Sequence, residues 1–203
     1  MFDILAGVFW SVTYILAIIH AIKYKMHAIP IFCICSNLGW ETVAVIQSLI
    51  TFDHFSPVIL IHIAWFSLDV IIIILSVVHE SSWFENFSKK IAILSFYAFS
   101  IVAFLFIFQN DGMLISSFVI DLSMAVLFLP FAFRKEMVIS PISIAIGIAK
   151  LVGDICAWIC YRFDSAVNII GIIVMICNSA YVVILIYMYF NKFKNKNRQE
   201  DEL

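Results

Sequence analysis

Seven apolar windows, each about 20 residues long, constrain this chain more than any other feature. They lie at about 3–22, 28–51, 57–78, 90–109, 112–133, 139–161 and 166–190. A helix of about 20 apolar residues covers a hydrocarbon core of about 30 Å, so the spacing predicts seven membrane-crossing helices. The fold class is therefore all-α, a polytopic membrane bundle. Hydrophobic residues make up 64% of the chain and charged ones 13%, too little polar surface to coat a water-soluble globule. Because the connections are short, residues 1–190 read as a single domain, and function has to sit inside the bundle or at its mouths.

The basic residues give an orientation. Lys23, Lys25, Lys89, Lys90, Arg134, Lys135, Lys192, Lys194, Lys196 and Arg198 fall on one side of a seven-span chain, against Arg162 on the other, with Lys150 inside a span. The positive-inside rule then places the N-terminus outside and the basic tail 191–203 in the cytoplasm. The first window lacks a basic n-region and a small-residue cleavage site, so it reads as a retained span. Asp201-Glu202-Leu203 lacks the lysine of an ER-retrieval signal. The expected location is a multi-pass integral membrane protein, in the cell membrane if the host is bacterial.

A repeat is also legible. Residues 24–30 laid over 135–141 pair Met26 with Met137 and Pro30 with Pro141, and the same offset pairs Asp53 with Asp164. Residues 1–79 thus read as a distant copy of 112–190, with 90–109 as the linking helix, a 3+1+3 parallel arrangement. The turn holding Asp53 and His54 lies outside, and the amphipathic loop 79–90 is expected along the cytoplasmic membrane surface.

Ionisable side chains within spans are costly and face inward together. Asn37 and Glu41 stand one turn apart on the second span, with Trp40 beside them and Ala44 and Ser48 further along the same face. His62, Trp65, Asp69 and Ser76 follow at i, i+3, i+7 and i+14 on the third. The fifth span brings Ser117 and Asp121, the sixth Lys150, Asp154 and Trp158, the seventh Asn178 and Tyr181. Lys150 and Asp154 have the i, i+4 spacing of an ion pair, whereas Glu41 and Asp69 have no cation on their own helices within four residues. A carboxyl group taken out of water without a cation keeps its proton more readily, and a neutral buried acid is a proton donor. Glu41, Asp69, Asp154 and Asp121 are the candidate catalytic groups. Asn37, Trp40, Trp65, Lys150, Trp158, Asn178 and Tyr181 are candidates for binding, the aromatic ones because π faces stabilise cations.

No D-D-x-x-D run, glycine-rich phosphate loop or H-E-x-x-H motif occurs, so neither a metal nor another cofactor is expected. Nucleic acid is not an expected partner. Five cysteines without a C-x-x-C pair read as packing residues.

Asn37-x-x-Trp40-Glu41, followed by Trp65-x-x-x-Asp69-Val70, resembles the integral-membrane terpene cyclases of meroterpenoid biosynthesis. The resemblance implies an enzyme that closes rings without metal, a buried acid protonating an epoxide or alkene of a lipophilic isoprenoid substrate. It places Glu41 at the acid of the family's W-E motif. The family's final-span acid falls on Asn178, in Cys177-Asn178-Ser179-Ala180-Tyr181. An amide cannot deliver a proton, so Asp154, Asp69 or Asp121 is left to act there. The alternative is a small-molecule transporter of SWEET-like or vitamin-precursor-carrier type, which also has the 3+1+3 plan. The bilayer is the expected surrounding, and the reading leaves room for a homo-oligomer.

Overall fold

The computed structural model describes residues 2–26, 28–51, 57–79, 87–134 and 137–201. The turn with Asp53 and His54 and most of the loop 79–90 lie outside the described residues, as do His27, Lys135 and Glu136. Every element is helical: α1 (Phe2–Tyr24), α2 (Ile31–Thr51), α3 (Pro57–His79), a helical run Phe87–Phe131, then Pro141–Tyr161 and Ser165–Asp201. The run Phe87–Phe131 breaks at Gly112, where φ is 80° and ψ −178°. Only glycine adopts that backbone conformation readily. We call the limbs α4 (Ile91–Asn110) and α5 (Gly112–Phe131), and the last two helices α6 and α7.

The chain folds back at Gly112. Phe104 of α4 and Ile120 of α5 share one cluster with Trp40, Val43 and Ala44 of α2, whereas 16 residues along a straight helix would separate them by about 24 Å. Seven helices are thus long and apolar enough to cross a membrane, and the protein is a multi-pass integral membrane protein.

Prolines and serines set the helix starts. Pro30 stands just before α2 and its carbonyl accepts from Cys33 and Ile34 N–H at 2.9 and 3.3 Å. Ser140 caps α6 through a reciprocal pair with Ser143, and Pro141 supplies the first helical residue. Pro130 lies in the last turn of α5, so it gives no mid-depth kink. α7 continues as helix well past residue 190, carrying the start of the predicted tail with it.

α2 is the central helix, which the single-stripe reading of its sequence did not anticipate. In its span 67% of residues are buried, against 11% for α4. α3 covers one side of α2 and α4 lies across another, where a Cβ on Gly39 would stand 2.7 Å from Ser100 Cβ. The other neighbouring pairs are α1 with α3 and α6, α5 with α2 and α7, and α6 with α7. Ala17, Cys33, Ile72, Phe128, Ile146 and Leu185 build an apolar cluster toward one end of the bundle. Ala6, Phe118, Cys156, Ala157 and Val167 build a second toward the other. Glu41, Asp69, Asp121 and Lys150 lie between these two layers. His20, fully buried, faces Met26 and Val138 carbonyls at 3.2 and 3.1 Å, fastening the α1–α2 connection to the α5–α6 connection.

Candidate active site

Between the apolar layers lies a cavity with about 660 Å³ of space free of atoms, counting its opening. α1 lends Trp10, Thr13 and Tyr14 to the wall; α2 and the residues before it lend Ile29, Ile34, Asn37, Trp40 and Glu41. Trp65 and Asp69 come from α3, Ser117, Ile120, Asp121, Met124 and Phe128 from α5, and Lys150 from α6. Helical spacing brings each set to one face: 10, 13 and 14; 37, 40 and 41; 65 and 69; 117, 120, 121, 124 and 128.

Glu41 is buried, and its Oε2 lies 2.9 Å from His62 Nδ1 of α3. A carboxylate without a partner on its own helix therefore has one on the next. Trp40 and Trp65 flank that imidazole edge-on, with ring centroids 5.4 and 5.9 Å away. The Trp40 indole N–H donates to Ser116 Oγ at 3.0 Å, and that of Trp65 to Ser11 Oγ at 3.1 Å. Both rings are thereby fixed with their apolar area left for packing and for the cavity.

Asp69 is fully buried. Asn37 Nδ2 donates to its Oδ2 at 2.7 Å and also to the Tyr14 hydroxyl. Asp69 Oδ1 has no hydrogen-bond partner among the described residues. A buried carboxylate oxygen left in this way is costly, and Asp69 belongs to the cavity wall.

Lys150 holds two carboxylates at once, donating to Asp154 Oδ2 at 2.8 Å and to Asp121 Oδ1 at 3.3 Å. The i, i+4 pair expected from sequence is thus a triad, and it joins α5 to α6. Asp154 is engaged on both oxygens: Trp10 Nε1–H donates to Oδ1 at 2.8 Å, and Asn178 Nδ2 donates to the Oδ2 that Lys150 already holds. Gly153 permits the first of these, because a Cβ there would stand 2.5 Å from Trp10 Cδ1.

Seven of the eleven candidate residues line the cavity: Glu41, Asp69, Asp121, Asn37, Trp40, Trp65 and Lys150. The other four do not belong to its wall. Asp154 and Asn178 sit behind Lys150. Trp158 packs in the cluster of Phe118 and Val167 and donates to Asn168 Oδ1 at 3.0 Å. Tyr181 stacks edge-on behind Phe128 at 4.9 Å, its hydroxyl without a partner among the described residues. A shared helical face gives direction but not depth, and these residues lie on the right faces at other levels. Trp10, Thr13, Tyr14, Met124 and Phe128 join the wall although they were not among those eleven. Their signal was present in the stripes 10–13–14 and 117–121–124–128. Among the described residues no three His, Cys, Asp or Glu side chains gather where they could hold a metal ion.

The sequence profile of the Pyr4-like transmembrane terpene cyclases matches residues 1–145 of the 203. The chain belongs to this transmembrane terpene cyclase family. The matched part carries Glu41, Asp69 and Asp121 and ends before Lys150, Asp154 and Asn178. A relative named terpene cyclase macJ, from Penicillium terrestre, is 40% identical over 42 residues, 21% of this chain. The matched stretch spans 16% of that relative's length. No solved structure matches the chain. Among transmembrane terpene cyclases, this member thus carries its aromatic and acidic side chains on one cavity within the membrane-spanning bundle.

Proposed function

We propose that the protein is a terpenoid cyclase working without metal on a lipophilic prenylated substrate. Glu41 protonates an epoxide or alkene of that substrate. The resulting cation closes rings against Trp10, Trp40 and Trp65, and Asp69 removes the last proton. The observation that carries this reading is the placing of Glu41 and Asp69 on one aromatic-walled cavity, with no hydrogen bond to Asp69 Oδ1 among the described residues. Family membership and the name of the matched relative support the same reaction class.

Asp69 suits the final proton removal better than its rivals. Asp121 and Asp154 both serve Lys150. Asp154 has donors on both oxygens and no place in the cavity wall. Asn178, standing where the resemblance puts an acid, donates to Asp154 and helps hold the lysine triad. Asn37, Trp40 and Trp65 shape the binding wall, and Lys150 with Asp121 forms its charged end.

The basic bias of the connections supports an N-terminus outside and a cytoplasmic C-terminus. The repeat is supported by matching neighbour pairs: α1 with α3 as α5 with α7, α2 with α3 as α6 with α7, α1 with α6 as α5 with α2. The carrier reading gains nothing comparable. Rocking carriers use paired breaks at mid-depth, while the break at Gly112 joins two spans and Pro130 ends one.

The test is turnover of a prenylated aromatic compound with a terminal epoxide, followed as ring closure at unchanged mass. Glu41→Gln is expected to stay folded and lose turnover by at least about 100-fold, the lower range for a general acid. Turnover within threefold of wild type would remove Glu41 as the proton donor.

A further inference from the structure

We propose that His62 is the positioning residue for Glu41, holding the acid at its working rotamer and donating to the carboxylate left when its proton is delivered. This rests on the reading of Glu41 as the acid. His62 does not belong to the cavity wall, so it acts through Glu41 and does not touch substrate. Its Nδ1 is 2.9 Å from Glu41 Oε2. Both residues are almost fully buried, at 4% and 2% exposure.

At that separation one proton lies between the two atoms. That proton sits on Nδ1 and is donated to Oε2, while the proton that Glu41 delivers is carried on Oε1. When the Oε1 proton passes to substrate, the same Nδ1–H stabilises the carboxylate left behind. The proton balance closes over a turnover. Glu41 gives one proton to the substrate, Asp69 takes one from the ring-closed cation, and the enzyme resets when Asp69 loses a proton and Glu41 gains one.

Three features argue against simple packing. A phenyl ring would serve the edge contacts with Trp40 and Trp65 equally well. The histidine instead spends one ring nitrogen on the acid. Moreover, among the described residues Glu41 Oε2 has one hydrogen bond, to this imidazole.

The experiment compares wild type, His62→Phe, His62→Asn and Glu41→Gln in detergent. The first readout is the infrared carbonyl band of a protonated carboxyl group, assigned to Glu41 by its loss in Glu41→Gln. It is expected in wild type and displaced to higher frequency in His62→Phe, where the hydrogen bond is gone. An unmoved band, or no such band in wild type, overturns the proposal. The second readout uses the prenylated epoxide. His62→Phe is expected to lose kcat by at least about 30-fold with KM within threefold, and His62→Asn, which restores a side-chain partner, to recover part of kcat. His62→Phe at wild-type kcat overturns the proposal while leaving Glu41 in place, provided Glu41→Gln is inactive. An active Glu41→Gln removes the acid reading itself. If His62→Phe does not fold, His62→Asn carries both readouts, with a displaced band and reduced kcat expected and wild-type values overturning.

Discussion

Removing the positive charge from Lys150 should destabilise the bundle more than any other single polar change. Its ammonium lies 2.8 Å from Asp154 Oδ2 and 3.3 Å from Asp121 Oδ1, and all three side chains are buried. At an effective dielectric near 20, each contact represents an attraction of roughly 5–6 kcal/mol before desolvation is subtracted. Lys150→Met leaves two carboxylates facing each other without a cation. They relieve the repulsion by taking up protons, which caps the cost at about 3–5 kcal/mol, as for other buried pairs broken on one side. On the slope of about 2–4 °C per kcal/mol for a chain of this size, the loss is roughly 6–20 °C in Tm. Cys33 and Cys35 are fully buried, so a thiol-reactive fluorogenic dye reports the unfolding in detergent. Combining Lys150→Met with Asp121→Asn and Asp154→Asn removes the stranded charge and should recover most of the loss. A single variant within about 1 kcal/mol of wild type, or a triple variant worse than the single, would refute the triad as a structural unit.

Two further outcomes test other parts of the account. Gly153→Ala should cost about 1–3 kcal/mol by overpacking, since its Cβ would meet Trp10 at 2.5 Å; combining it with Trp10→Leu should cost less than the sum of the two, measured by the same dye. Asp69→Asn keeps an acceptor for Asn37 and should unfold at the wild-type temperature, yet lose at least about 100-fold in kcat; wild-type kcat would show that another group removes the final proton.

Hydropathy made the seven spans legible because each helix has to match the same hydrocarbon thickness. Even the break between α4 and α5 was visible as the polar residues Asn110 and Asp111 before Gly112, though not its positive φ. The faces were legible too: 3.6-residue spacing put Glu41 beside Asn37, and Asp69 on the face of His62 and Trp65. What spacing cannot give is which face meets which. The Glu41–His62 and Asn37–Asp69 contacts need α2 and α3 side by side at one register, and the Asp121–Lys150 contact needs α5 against α6. Depth was equally hidden. Trp158 lies eight residues beyond Lys150, the cavity residue of α6, about 12 Å along the axis, far enough to leave the cavity and join another cluster. The central place of α2 was masked because α4 covers a face that is apolar whether it meets lipid or protein.

The most direct test of the account is a cryo-EM structure with a prenylated aromatic compound whose terminal epoxide is replaced by an unreactive saturated end. The account predicts elongated density in the cavity, its chain end against Glu41 and its length along the Trp40 and Trp65 rings toward Asp69. Density behind Lys150 between α6 and α7, or only on the outer face of the bundle, would contradict it.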